Sequence, residues 1–337
     1  MFINMNSNKM FFMFILFFST LISISSNSWF GCWIGLEINL MSFIPLISNS
    51  NNNLSSEASL KYFLVQSIAS INLLFFIIFK MIFMKNFEMN NFYMIMINSP
   101  LLMKMGAAPF HFWYPNIVEG LSWLNNLILM TWQKISPIIL ISYYFNKNFI
   151  MIVVIMNAII GALGGLNQTS LRKLMTFSSI NNLSWMMSSM MISENLWLFY
   201  FFMYSFMTSI LCFLFYCINM FFINQLFFIN LNYMIKLSLF INFLSIGGLP
   251  PFIGFFPKWI TINFLLMNKL FFLTFILIMM SLILLFFYIR ILFSSFMFNY
   301  LKLKWMKMVI KNKMFFFINV FSMISILGMI MSTFFFL

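Results

Sequence analysis

The chain has 337 residues, of which 63% are hydrophobic and only 7% charged, against roughly 25% charged in an ordinary soluble domain, so there is too little polar side chain to cover a water-soluble surface. The net charge of +13 rests on 18 Lys and Arg against five acidic residues, all glutamate, and no basic patch is interleaved with exposed polar residues, which excludes a nucleic-acid partner. Three cysteines without CxxC or Cys/His spacing exclude a zinc or iron–sulfur site, and the single histidine, His111, excludes a bis-histidine haem.

Apolar runs of about 20 residues recur from end to end, the length a helix needs to cross the hydrocarbon core, so the chain reads as an all-α polytopic membrane protein. Polar breaks divide it into about eleven expected spans. The first, 9–27, lacks an A-x-A-like cleavage site and an Arg-rich amphipathic face, and is expected to be a span rather than a signal or transit peptide. The second, 29–48, places Glu37 in the middle of an apolar run, and the third covers 58–84.

The fourth expected span, 92–121, is too long and too interrupted for a simple helix: it reads NSPLLMKMGAAPFHFWYP, with Pro100, Gly106, Pro109 and Pro115. Unbroken spans are expected at 124–145, 149–166, 172–193 and 195–222. The ninth, 237–266, is interrupted again at LSIGGLPPFIGFFPKW. Proline lacks a backbone donor and clashes with the preceding turn, so both helices are expected to break mid-membrane, near 104–110 and 247–252. The last two spans are 270–298 and 314–336.

The two breaks share a pattern. Gly106-x-x-Pro109-Phe110 with Pro115 matches Gly248-x-x-Pro251-Phe252 with Pro257, at a constant offset of 142 positions. Five spans separate equivalent segments, an odd number, so the second copy enters the membrane from the opposite side. This is the arrangement of inverted-repeat transporters, whose broken helices line an ion site near the midplane. The expected organisation is a first five-helix repeat at 1–145, a second, inverted one at 146–298, and a basic loop with a C-terminal helix at 299–337. The alternative is a chance likeness between two Gly/Pro kinks, since both residues are common in membrane helices.

Charge sets the orientation. With this span order one face collects Lys9, Arg172, Lys173, Lys236 and the cluster Lys302, Lys304, Lys307, Lys311 and Lys313, while the other collects mainly Lys80, Lys85, Lys147 and Lys269. The richer face is expected to be the inside. Lys61 and the Arg172-Lys173 pair mark interfaces, and Glu57, Glu88, Glu119 and Glu194 fall near span ends and read as solvated.

Four ionisable residues remain well inside spans: Glu37, Lys104, Lys134 and Lys258. Each costs roughly 2.5–3.5 kcal/mol at a helix centre. Together this is of order 10 kcal/mol, comparable with the stability of a whole domain. A passive scaffold has no need of them, although a snorkelling side chain or a fixed helix–helix ion pair is the structural alternative for each. Burial disfavours the charged form of a carboxyl and an ammonium alike, which brings proton exchange towards neutral pH. A neighbouring charge ~4 Å away is worth ~4 kcal/mol at an effective dielectric of ~20, so opening or closing a Glu–Lys pair loads or releases a proton with no metal. His111 follows a break and is a lesser relay candidate, a single buried histidine being as often a satisfied structural group. Gln66, Asn72, Asn157, Gln168, Ser178 and Ser179 either hold water chains or tie helices together. No nucleotide loop, Ser/His/Asp set or flavin motif is present.

At these residues the chain resembles a known family. SNSWFGCWIGLEINLMSFIPL, EASLKYFLVQ, KMGAAPFHFWYPNIVEGLSW, TWQKISP, GGLNQTSLRKLMTFSSINNL and LSIGGLPPFIGFFPKW are similar, in order and over nearly the whole chain, to the antiporter-like subunit 2 family of mitochondrial NADH dehydrogenase, respiratory complex I, most of all in its insect versions. The resemblance implies a proton-translocating subunit of the membrane arm in the mitochondrial inner membrane. Its partners would be other membrane-arm subunits, neighbouring antiporter-like subunits and lipids. It implies no cofactor on this chain: the NADH, FMN, iron–sulfur clusters and ubiquinone used by the complex belong to other subunits. It carries the family's membrane glutamate onto Glu37 and its lysines onto Lys104, Lys134 and Lys258. It also makes Lys104 the expected partner of Glu37, within a few ångströms or one water away. GAAPFHFW stands where many relatives have GMAPFHFW, which touches none of these charges. Two other functions compete with this reading: a stand-alone cation/proton antiporter, and a spacer whose buried charges form static pairs.

Overall fold

The computed structural model describes residues 7–49, 52–83, 91–228, 233–297, 319–326 and 328. Lys85, Glu88, the lysine cluster at 302–313 and most of the expected final span lie outside the described residues. Among the described residues the regular structure is helical, apart from one isolated antiparallel bridge between Ser170 and Phe222. Six of these helices are long and apolar enough to cross a membrane. Their outer faces expose large apolar side chains such as Phe11, Phe14, Phe18, Phe75 and Phe202, which suits a hydrocarbon surrounding and no aqueous one.

The chain forms two compact units, Met1–Ile150 and Met151–Leu337. The first contains α1 (Ser7–Ser25), α2 (Trp29–Ile47), α3 (Asn53–Phe83), α4 (Asn91–Met105), α5 (Trp113–Val118), α6 (Trp123–Met130) and α7 (Trp132–Tyr143). α2 starts where the Ser28 hydroxyl accepts from the Gly31 N–H at 3.2 Å, satisfying one of the donors a helix start leaves open. α3 begins five residues before the expected span. Asn52 caps it by accepting from the Leu54 N–H, and Glu57 and Lys61 pair one turn apart at 2.5 Å on its exposed face.

α8 (Lys147–Gly165) bridges the unit boundary. The second unit then holds α9 (Leu171–Met190), α10 (Glu194–Ile218), the unexpected short α11 (Ile223–Phe228), α12 (Tyr233–Gly247), α13 (Phe255–Met267) and α14 (Phe271–Met297). α10 is framed by its ends: Ser193 caps the start beside Glu194, and Asn219 adopts a left-handed φ of 54° at the stop. α9 is the core of this unit, buried on almost every side although it is rich in Ser and Asn. Its serines satisfy themselves locally. Ser178, Ser184, Ser188 and Ser189 each donate to the carbonyl three residues back at 2.6–2.8 Å, so their burial leaves few unmet bonds.

Both expected breaks are present, and they use one local device. α4 stops at Met105 and α5 starts at Trp113; α12 stops at Gly247 and α13 starts at Phe255. Gly106 and Gly248 hold φ of 68° and 80°, a left-handed conformation that glycine enters without steric cost. The Gly106 N–H reaches Met103 O and the Ala107 N–H reaches Leu102 O; the Gly248 N–H reaches Ser245 O and the Leu249 N–H reaches Leu244 O. These are the paired bonds of a Schellman stop, made by residues that correspond one to one at the 142-position offset.

The expected unbroken span at 124–145 is corrected: it is interrupted at Thr131. The Thr131 hydroxyl and N–H both donate to the Leu127 carbonyl, at 2.7 and 3.0 Å, and the ladder resumes with a tighter bond from the Lys134 N–H to Thr131 O. A threonine hydroxyl competing for the i−4 carbonyl bends a helix in this way. In the second unit, the described helical stretch at 319–326 meets the second break, where the Ile253 N–H donates to Ser325 O at 3.0 Å.

Candidate functional site

In the first unit Glu37 lies half-buried in the middle of α2. Lys104 occupies the last turn of α4 and is 7% exposed. The carbonyls left open by this helix end are met by other groups: Gln66 Nε2 donates to Lys104 O at 3.2 Å and Trp113 Nε1 to Met103 O at 3.1 Å. The Lys104 side chain is thus not the cap of its own helix, and it sits beside the negative end of the α4 dipole. Among the described residues no direct ion pair joins Lys104 to Glu37.

Lys134, 1% exposed, lies in the first turn of α7 just past the Thr131 interruption. Its ammonium lies over the Tyr114 ring, 5.4 Å from the centroid, where the ring quadrupole attracts a cation. Tyr114 belongs to α5, so the first break delivers this aromatic face to Lys134. His111 sits in the same break and is buried, but its Nδ1 contacts Pro109 O at 3.3 Å and its ring packs on Phe112. Its contacts are those of a residue that shapes the break.

In the second unit Lys258, 6% exposed, projects from α13 onto the end of α12. Its Nζ donates to Gly247 O at 2.9 Å and Ile246 O at 3.4 Å, and lies 5.8 Å from the Trp185 ring centroid. It caps the interrupted helix with a positive charge at the negative end of the dipole. Beside it is a crevice of about 20 Å³, room for about one water, lined by Asn182, Tyr200, Tyr204, Ser245 and Lys258. The Tyr200 hydroxyl bonds Asn182 Oδ1 at 3.2 Å.

The two broken-helix lysines reach their places by different routes. At the 142-position offset Lys104 corresponds to Ile246, and Lys258 to the exposed Asn116. In both units a lysine nevertheless ends up at the carboxyl end of the first half-helix. In one it is part of that helix; in the other it arrives from the helix after the break.

The family described as "NADH:quinone oxidoreductase/Mrp antiporter, TM" matches residues 26–284. An NADH-ubiquinone oxidoreductase chain 2 of Anopheles gambiae is 53% identical over 95% of both chains. The chain belongs to the NADH-ubiquinone oxidoreductase chain 2 family. Among solved structures, a chain of respiratory complex I from Thermus thermophilus shares the fold with a TM-score of 0.81 at 17% identity, covering 97% of this chain and 79% of that one. A chain of the Mrp complex from Dietzia sp. DQ12-45-1b does so with a TM-score of 0.75 at 14% identity, covering 83% and 59%.

One polar link in this chain 2 relative escapes a sequence reading. Asn39 and Gln133 exchange two hydrogen bonds, Asn39 Nδ2 to Gln133 Oε1 at 3.0 Å and Gln133 Nε2 to Asn39 Oδ1 at 2.9 Å. The pair ties α2, two residues after Glu37, to α7, one residue before Lys134. Both amides lie inside GLEIN and TWQK, the motifs that carry the charges, and that position is the one signal by which the sequence could have shown them. Gln66 and Gln168 tie backbone, the first to Lys104 O and the second to Gly164 O at 3.1 Å. Among the described residues no three His, Cys, Asp or Glu side chains come together as a metal would require.

Proposed function

We propose that protons cross this subunit through the buried series Glu37, Lys104, Lys134 and Lys258, with His111 a lesser participant. The chain is an antiporter-like membrane-arm subunit of NADH:ubiquinone oxidoreductase, complex I (EC 7.1.1.2), and works among that complex's other membrane subunits. It is a multi-pass protein of the mitochondrial inner membrane. The NADH, FMN, iron–sulfur and ubiquinone chemistry is assigned to other subunits, and this chain couples to it by moving charge.

The observation that carries the proposal is the placing of Lys104 and Lys258 at the carboxyl ends of the two interrupted helices. A helix end offers the ammonium a polar resting place inside hydrocarbon, and an open turn beside it admits water. Lys134 to Met is the direct test. It removes the ammonium of a residue that is 1% exposed and keeps an unbranched side chain one atom shorter. Protons pumped per electron should fall while NADH oxidation by the assembled complex continues; an unchanged ratio rejects the series and favours a spacer with static charges.

The finer architecture follows the same reading: about eleven spans, two inverted five-helix repeats at 1–145 and 146–298, and a basic loop with a C-terminal helix at 299–337. It is supported by the matched Schellman stops and the odd span count between them. The N-terminus then faces the matrix and Leu337 the intermembrane space. Protease added to mitoplasts should spare a tag at the matrix-side N-terminus and remove one at Leu337. A C-terminal tag cleaved only from the matrix side overturns the topology.

A further inference from the structure

The second unit contains another crevice, of about 530 Å³, formed by residues 166–169, 223–224 and 290–291. It shares no lining residue with the Lys258 crevice. Its base is held by backbone bonds: the Ile223 N–H donates to Thr169 O at 3.0 Å and the Leu171 N–H to Phe221 O at 2.9 Å, on either side of the Ser170–Phe222 bridge. Gln225 Oε1 locks the adjoining turn by accepting from the N–H groups of Phe221 and Phe222.

The charge of the crevice has one sign. Arg290 lines it and donates one bond to the Leu166 carbonyl. A guanidinium carries five N–H donors in one plane, so a single bond orients it and leaves donors for a ligand. Asn167, Gln168, Thr169 and Asn224 add neutral polar groups, and among the described residues no carboxylate lines it. This is a site for an anion. Leu166, Ile223 and Ile291 also line it, so its occupant has an apolar part.

A track for that part leads away from Arg290. Phe286 and Phe293 lie one turn either side of it on α14, and Leu282, Met279 and Phe275 continue the same spacing, all five exposed. Residues three and four apart share a helix face, so these form one apolar stripe that flanks the guanidinium at Phe293 and runs from Phe286 toward the start of α14. The helix ends that build the crevice also fall, by span order, on the membrane face expected to carry Arg172 and Lys173.

We propose that this crevice binds an anionic phospholipid, its phosphodiester on Arg290 and an acyl chain along the α14 stripe. A free phosphate would leave the stripe and the apolar lining uncovered. Basic crevices at helix ends suit such headgroups. The proposal is independent of the proton path.

The intact complex, placed in nanodiscs with photoreactive phosphatidylglycerol or photoreactive phosphatidylcholine, tests it by peptide mapping of the labelled sites. Phosphatidylglycerol should label the segments around 166–169, 223–224 and 290 about tenfold more than phosphatidylcholine, because both lipids offer a phosphodiester to Arg290 but the choline cation of the second offsets that charge and repels the guanidinium. Arg290→Gln should abolish most of that preference, and Arg290→Lys should retain part of it. Excess inorganic phosphate should not displace the label. Equal labelling by the two lipids, an unchanged preference in Arg290→Gln, or displacement by phosphate overturns the proposal. If Arg290→Gln does not assemble, the wild-type comparison of the two lipids decides alone.

Discussion

Gly248→Ala is expected to disable the second break, while Gly247→Ala, one residue earlier, is expected to be nearly neutral. Gly248 holds a φ of 80°, and a Cβ there would lie 2.9 Å from both Cδ and Nζ of Lys258. The left-handed conformation costs an alanine about 1–2 kcal/mol. Displacing the ammonium from Gly247 O breaks a hydrogen bond to a charged donor, worth about 1.5–3 kcal/mol. The sum is about 2.5–5 kcal/mol, and it falls on the position of Lys258 itself. At Gly247 a Cβ meets only Tyr288 and Leu285 carbons at 3.5–3.8 Å, ordinary contact inside a helix. The check is the stability of the assembled complex to detergent together with protons pumped per electron. Equal behaviour of the two variants would show that neither the left-handed turn nor the Lys258 cap matters.

Glu37→Gln should leave assembly and electron transfer intact and lower the number of protons moved per electron. The substitution keeps size and hydrogen-bonding capacity and deletes one charge. Glu37 is half-buried, and the family resemblance makes Lys104 its expected partner. A unit charge at about 4–8 Å is worth roughly 2–4 kcal/mol at an effective dielectric near 20, enough to decide whether an adjacent ammonium keeps its proton. Glu57→Gln is the control. Glu57 and Lys61 form an exposed pair on α3, and such pairs contribute about 0–1 kcal/mol. A pumping ratio unchanged in Glu37→Gln removes Glu37 from the mechanism. An equal loss in Glu57→Gln would mean that any acidic deletion harms the subunit.

The helix breaks were legible because glycine and proline write backbone geometry directly. Gly-x-x-Pro-Phe appears twice, and the left-handed φ and the paired stop bonds fall on the same residues twice. The Thr131 interruption was not legible. A threonine in a span either faces lipid or takes the carbonyl one turn back, and its sequence does not distinguish the two. α9 misleads in the other direction: its serines and asparagines lower its hydropathy, yet it is the most thoroughly buried helix of the second unit, because side-chain bonds to its own backbone satisfy the hydroxyls.

The sequence by itself determined which charges are inside, since a Glu or Lys within an apolar run has no water to face whatever the packing. It also determined the class of the protein and the positions of both large breaks, which depend on local chemistry. Only the tertiary structure decided what those charges meet. Lys258 caps Gly247 from 11 residues away, Asn39 finds Gln133 across 94, and Lys134 lies over a ring supplied by the first break. Glu37 and Lys104, expected within a few ångströms or one water of each other, form no direct ion pair among the described residues. These partners are set by how helices pack, and packing depends on many small contacts between distant segments, which no short motif encodes.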